Sequence, residues 1–259
     1  MQPDLLLRER QQIIQDRLKT SGRVLAVNLA KEFGVSEDTV RRDLREMAAA
    51  GLCERVYGGA LPVAPGGTSL ESRVGQSAER KQALALTAVD FIRDGMTVFF
   101  DASSTNIAIA KALPADIRLT AVTNTPLIAA ALMEKPGVEI ILIGGRIDRQ
   151  VGAAVGATAQ REIGALRPDL CILGVCGIDI AAGITAFEYE DAAFKRLAVQ
   201  QSVAVLVAVT ADKLATSAPH AVVPAKECTT LIAEGGAETA ALSAFRNLGI
   251  HVVTVKEKS

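Results

Sequence analysis

The hydrophobic rhythm of the chain changes near residue 80. Over the first sixty positions, apolar residues recur at helical spacing. Leu6, Ile13, Ile14 and Leu18 share one face of a helix that Ser21-Gly22 ends. Leu25 and Val27 mark a short entry, and Leu29, Ala30 and Phe33 build a brief second helix stopped by Gly34. Ser36 is suited to cap a third helix, with Glu37 and Asp38 in a first turn whose exposed N–H groups favour carboxylates. That helix turns Val40, Leu44 and Met47 inward and stops near Gly51. A strand over 52–57, a turn at Gly58-Gly59 and a return strand over 60–63 follow. Helix, helix, helix, hairpin is the order of a winged helix-turn-helix.

From residue 97 the pattern alternates apolar strands with amphipathic helices. Strands are expected at 97–101, 119–123, 139–143, 170–176, 203–210, 229–233 and 251–255. Helices are expected near 80–93, 105–113, 126–134, 157–166, 190–201 and 239–248. Continuous apolar strands between helices imply an α/β domain, with a mostly parallel sheet covered on both faces. Between the two styles lie Pro62 and Pro65-Gly66-Gly67-Thr68-Ser69, a linker composition. The expected organisation is a winged helix-turn-helix over 1–61, a linker over 62–79 and a larger domain over 80–259.

Composition narrows the class. With 49% apolar residues in 259, the chain can bury a sizeable core, which excludes a disordered protein. Aromatics are 3%, so that core must be Ala, Val, Leu and Ile. None of the four cysteines forms a C-x-x-C pair, and Cys171 and Cys176 read as reduced core residues in an apolar run. Two histidines exclude a histidine-rich metal site, and neither a metal nor a cofactor is expected. No apolar run approaches the ~18 residues of a membrane helix. Residues 1–10 alternate polar and apolar positions without a signal-peptide pattern, so the expected location is cytoplasmic, away from membranes. The net charge is −1, and residues 1–60 carry ten basic against nine acidic side chains. Bulk charge therefore says nothing about nucleic acid, and only local placement can.

Local placement is informative in the third helix. With Val40, Leu44 and Met47 inward, Arg41, Arg42 and Arg45 project from the other side, with Ser36 and Thr39 at the start. Alone, this is an ordinary solvated helix face. The preceding turn and a wing carrying Arg55 and Tyr57 beside Gly58-Gly59 make it a DNA-reading helix, because arginine pairs with guanine edges and with phosphate. The run Ser36-Glu37-Asp38-Thr39-Val40-Arg41-Arg42-Asp43-Leu44, then Gly51-Leu52 and Arg55-Val56-Tyr57-Gly58-Gly59-Ala60, resembles the N-terminal signature of the DeoR family of bacterial transcriptional regulators. The resemblance extends over nearly the whole chain. It implies a cytoplasmic DNA-binding regulator, most often a repressor of sugar or polyol catabolism, released from operator DNA by a phosphorylated metabolite.

The larger domain places four polar groups at expected strand ends: Asp101-Ala102-Ser103-Ser104-Thr105-Asn106, Gly144-Gly145-Arg146, Gly177-Ile178-Asp179, and Thr210-Ala211-Asp212-Lys213. Each alone reads as a helix cap or turn. Together they line the edge at which open α/β sheets bind ligands, and the first opens a helix whose N–H groups suit an anion. The family's sensor domain resembles ribose-5-phosphate isomerases and coenzyme A transferases in fold. The loop from Asp101 to Thr105 is similar to the isomerase phosphate loop. Gly183-Ile184-Thr185, Glu190, Lys195-Arg196 and Lys213 match residues that the family places at its effector pocket. Thr210, Asp212 and Asn106 depart from the usual pattern and leave the effector's identity open. Phe187-Glu188-Tyr189 is faintly similar to a stretch in glycerol-3-phosphate regulators. The expected effector residues are Asp101, Ser103, Ser104, Thr105, Gly145, Gly177, Asp179, Glu190, Lys195 and Lys213. No catalytic residues are expected. The rival reading is a sugar-phosphate isomerase-like enzyme fused to a DNA-binding module, and the Asp179 segment lacks the Asp-Glu pair that the isomerases carry. A homo-oligomer, a dimer or higher even assembly joined through residues 80–259, would let two heads read paired half-sites.

Overall fold

The computed structural model describes residues 5–64, 68–236 and 239–255. The N-terminal unit opens with α1 (Leu7–Ser21), a two-residue strand β1 (Val24–Leu25), α2 (Ala26–Phe33) and α3 (Glu37–Ala49). The hairpin β2 (Glu54–Val56) and β3 (Gly59–Leu61) follows, and the three strands pair antiparallel in the order β1-β3-β2. Gly59 is what lets β3 lie against β1, since a Cβ there would sit 1.9 Å from the Val24 carbonyl oxygen. The expected apolar stripes meet in one core: Ile14, Leu18, Leu29, Phe33, Val40, Leu44 and Met47 are all buried together. That core also holds an ion pair, in which Arg10 of α1 donates to both carboxylate oxygens of Asp43 on α3 at 2.6 and 3.1 Å. It ties α3 to α1.

Two helices lead into the larger unit, α4 (Leu70–Val74) and α5 (Ala78–Val89). α4 falls inside the stretch expected as linker, of which residues 65–67 lie outside the described residues. Leu70 is fully buried, packs on Gly152, and donates its N–H to the Gln150 carbonyl at 3.1 Å. Nearby, Val63 pairs with Ser217 in a parallel bridge, closed by Ala64 N–H to the Ser217 carbonyl at 2.9 Å and Ser217 N–H to the Pro62 carbonyl at 3.3 Å. Proline and glycine disfavour long elements, yet they leave room for one turn of helix and a single bridge.

The chain continues through β4 (Thr97–Phe100), α6 (Ser104–Ala112), β5 (Leu119–Thr123), α7 (Pro126–Leu132), β6 (Val138–Leu142), the hairpin β7 (Arg146–Asp148) and β8 (Ala153–Val155), and α8 (Ala157–Gly164). β9 (Leu170–Leu173), the pair β10 (Gly177–Asp179) and β11 (Gly183–Ala186), and α9 (Tyr189–Gln201) come next. β12 (Ala204–Val209), β13 (His220–Val223), β14 (Thr230–Ala233), α10 (Thr239–Asn247) and β15 (His251–Thr254) complete it. The seven expected strand regions supply a seven-stranded parallel sheet in the order β15-β14-β12-β9-β4-β5-β6. Successive residues feed opposite cores: Phe99, Cys171, Val205 and Val207 face one, with α8, α9 and α10, while Val98, Phe100, Ile172 and Leu206 face the other, with α5, α6 and α7. The expected strand over 170–176 is the one that breaks. It ends at Leu173, bends at Gly174 and restarts as β10, which joins β11 and β13 in a small antiparallel sheet. The strand order matters for function. After β4 the chain builds outward through β5 and β6, then returns to place β9 beside β4 and builds the other way. The β4–β9 junction is thus the point where the winding reverses, which is where open α/β sheets leave a crevice.

Candidate functional site

The head presents its arginines as the helical spacing requires. In α3, Val40, Asp43, Leu44 and Met47 are buried, while Arg41, Arg42 and Arg45 are exposed. Ser36 caps the helix, accepting from the Thr39 N–H at 3.1 Å. Arg41 pairs with Glu37 one turn back at 3.0 Å, and both remain about half exposed, so the pair is easily exchanged for a phosphate. Asp38 is exposed and Thr39 is half-buried. On the wing, Arg55 is exposed and Tyr57 is fully so at the hairpin tip.

The second site is a cavity of about 220 Å³ at the β4–β9 junction. Ala102 and Ser103 beyond β4 and Gly174, Val175 and Cys176 beyond β9 form one side. Phe187 and Glu188 ahead of α9, with Asp191 and Lys195 on it, form another. Thr68 and Arg73 come from the α4 segment, and Gln150 and Val151 from the β7–β8 turn. Gly174 makes the corner possible: a Cβ there would sit 2.6 Å from the Ala102 carbonyl and 2.8 Å from the Ser103 Cβ.

A buried charge cluster forms the floor. Lys195 Nζ lies 2.5 Å from Asp101 Oδ2 and 3.1 Å from Asp191 Oδ1, all three residues being buried. Asp101 Oδ2 also accepts the Gly174 N–H at 2.8 Å, so the cluster ties β4 to the bend after β9. Burial works against the Lys195 charge, but Asp101 and then Asp191 overcome it and raise its pKa. Burial raises the Asp191 carboxyl to about 6 against the opposing pull of Lys195. Burial thus holds the Asp191 carboxyl above the ordinary carboxylate range.

The residues expected from sequence are distributed unequally. Ser103, Lys195 and, behind it, Asp101 belong to this cavity. Ser104 and Thr105 are buried at the start of α6, where the Ser103 hydroxyl accepts the Thr105 N–H at 3.2 Å. Asn106 donates to the Asp101 and Ile172 carbonyls, both at 2.8 Å, a structural role. Glu190 lies in an adjoining crevice and pairs with Arg146. Gly145 sits against β8 and α8. Gly177 packs on Thr216. The Asp179 carboxylate accepts the Ala181 and Ala182 N–H groups at 2.7 and 3.0 Å and so closes the β10–β11 turn. Lys213 donates to the Val175 carbonyl at 2.7 Å from behind the cavity wall, and burial lowers its pKa to about 8. Sequence reasoning missed Arg73, Asp191, Gln150 and Phe187 as lining residues. The helical spacing of Asp191 and Lys195 carried a signal for one of them, while Arg73 stood in a segment read as linker.

Among the described residues, no group of three or more His, Cys, Asp or Glu side chains could hold a metal ion, and no helix is long and apolar enough to cross a membrane. The four cysteines are free, three buried and Cys176 half-buried beside the cavity.

Two family models match the chain, the DeoR-like helix-turn-helix domain over residues 10–64 and the DeoR C terminal sensor domain over residues 76–235. The HTH-type transcriptional regulator GlpR of Haloferax volcanii is 32% identical over 251 residues, covering 96% of this chain and 98% of that one. The glycerol-3-phosphate regulon repressor of Escherichia coli K12 is 34% identical over 206 residues, 79% of this chain and 82% of that one. Among solved structures, ribose 5 phosphate isomerase A of Neisseria gonorrhoeae aligns at a TM-score of 0.40 and 14% identity, over 53% of this chain and 54% of that one. The close relatives are transcription regulators by name, and the rival reading as a fused isomerase is not favoured. With the sensor-domain model spanning more than half of the chain and the helix-turn-helix model matching the head that carries Arg41 and Arg42, the protein belongs to the DeoR family of DNA-binding transcriptional regulators.

Proposed function

We propose that this regulator represses a sugar or polyol catabolic operon and is released from its operator by a phosphorylated metabolite held at the β4–β9 junction. The observation that carries the reading is the pairing, in one chain, of an exposed arginine face on α3 with a largely apolar cavity at the reversal point of the sheet, whose few polar groups include Ser103, Arg73, Asp191 and Lys195. Ser36, Thr39, Arg41, Arg42 and Arg45 would engage the duplex, with Glu37 and Asp38 setting the helix start and Arg55 and Tyr57 following the backbone. In the cavity, carboxylates such as Asp191 and Glu188 suit sugar hydroxyls, while Ser103 and the cations suit a phosphate. Lys213 would act on the effector through the Val175 wall that it holds.

Assembly into a dimer or higher even oligomer completes the reading. Its support is the exposed apolar side chains Ile141 and Leu142 on the edge strand β6, with Leu127 and Met133 on and just after the adjoining α7. Light scattering at micromolar concentration should give an even multiple of the 27.1 kDa chain; a monomer with and without DNA would exclude it.

The test of function is a mobility-shift selection from random duplexes, followed by release with a panel of sugar and polyol phosphates. One duplex family should be selected and at least one phosphate should release it, while the parent sugars should not. A protein that selects no duplex, or whose complex ignores the whole panel and inorganic phosphate, does not work in this way.

A further inference from the structure

Of the two cations that line the cavity and those on neighbouring elements, Arg73 stands apart. Lys195 is neutralised by Asp101 and Asp191. Arg146 pairs with Glu190, and Arg80 with Glu234 and Asp212. Lys213 is bonded to the Val175 carbonyl, and Lys81 to the Arg73 and Gln76 carbonyls. Arg73 lines the cavity, yet its guanidinium makes one long bond, Nε to the Ser69 carbonyl at 3.4 Å, and none of the ion pairs among the described residues includes it. Lys81 and Lys213 feel its charge as repulsion and Asp191 feels it as attraction. A half-buried fork of donors with no carboxylate bonded to it, lining a cavity whose walls are largely apolar, is a site for a planar or tetrahedral oxyanion.

Its position in the chain gives the residue a second meaning. Arg73 sits on α4, shortly after the head in the chain, and residues 62–64 just beyond the head are zipped to the sensor domain at Ser217. The rest of the cavity wall comes from the sensor domain itself. Only the α4 segment, with Thr68 and Arg73, is both cavity wall and the path to the DNA-reading head.

We infer that Arg73 is the anchor for the effector's anionic group, and that through it an occupied cavity holds the α4 segment, residues 68–74, in one arrangement. This rests on the reading of the cavity as the effector site. Binding then changes the freedom of the segment that leads to α3, which is the differential between states that any ligand-driven switch requires.

Hydrogen exchange read by mass spectrometry, with inorganic phosphate as the probe and sodium chloride of equal ionic strength as the control, tests it on the full-length protein. Phosphate should slow exchange over residues 68–76 and raise the thermal midpoint. Arg73→Gln should abolish both effects while leaving the midpoint without phosphate unchanged, and Arg73→Lys should retain part of each. If phosphate stabilises the wild type but slows exchange only near Ser103 and Lys195, the α4 segment is not engaged and this inference fails while the cavity reading stands. Full protection persisting in Arg73→Gln overturns it equally. If phosphate changes nothing in the wild type, both the inference and the anionic-effector reading fall.

Discussion

At the residue scale, the Asp101–Lys195–Asp191 cluster is where the sensor domain is most exposed to substitution. A buried ion pair adds little net stability, but removing one partner strands the other charge. Lys195→Met should therefore cost about 3–5 kcal/mol, read from the urea midpoint, because Asp101 is wholly buried and loses its cation. Asp101→Asn with Lys195→Met should recover much of that loss; a double variant as unstable as the single one would contradict the argument. Asp191 gives a pH signature. Its folded pKa, about 6, lies above the ordinary value, so the folded state binds the proton more tightly than the unfolded chain. Its contribution to stability is present below about pH 4 and is lost as the pH rises through 6. The stability difference between the wild type and Asp191→Asn should move against the wild type over that window and level off above it. A difference independent of pH between 4 and 7 would show that Asp191 is not held in this way.

At the scale of elements, α3 was the most legible part of the chain. A 3.6-residue stripe of Val40, Leu44 and Met47, a serine cap and a glycine stop all agree, and the helix forms where they say. What the stripe did not reveal is Asp43, whose partner Arg10 lies 33 residues away; no local pattern encodes such a pair. The seven strands of the parallel sheet were equally readable, because each is a continuous apolar run between helices. The small elements were not. β7, β8, β10 and α4 have three to five residues each, too few to establish any period, and they take their shape from Asp148, Asp179 and Leu70. Arg73 lies on one of those elements and Thr68, Gln150 and Val151 beside or between them, which is why the sequence pattern did not point to Arg73 and Gln150. For α3 the expected outcome is concrete. Arg41→Ala or Arg42→Ala should each weaken binding to a selected duplex by about 1–3 kcal/mol where the side chain reads a base bidentately. A residue that touches only phosphate should instead weaken all duplexes alike and flatten the salt dependence. Wild-type affinity in the double variant would remove α3 from the interface.

At the scale of the molecule, one chain path joins the two sites. The cavity wall at Val175 is held by Lys213; Thr216 donates its hydroxyl to the Lys213 carbonyl at 2.9 Å; Ser217, next in line, is bridged to Val63 beyond the wing. None of this was legible in the sequence, because a linker composition states only what a segment does not favour, and the bridge depends on where β10 and β13 place the 214–218 segment. Contiguity alone does not make a coupling path; an element with two arrangements that both sites bias would do so. The bridge between Val63 and Ser217 is the element to restrain. Neighbouring positions on paired strands fall within the Cα separation that a disulfide spans, ~4.4–6.8 Å. Val63→Cys with Ser217→Cys should therefore cross-link on oxidation, while Cys53, Cys171 and Cys228 stay buried and unreactive. If the bridge opens and closes as the regulator switches, the oxidised protein should bind its selected duplex with a single affinity that the releasing phosphate no longer changes, and dithiothreitol should restore the response. An oxidised protein that still releases DNA at the same effector concentration would show that the head switches without this bridge, leaving the α4 segment as the remaining covalent route between cavity and DNA.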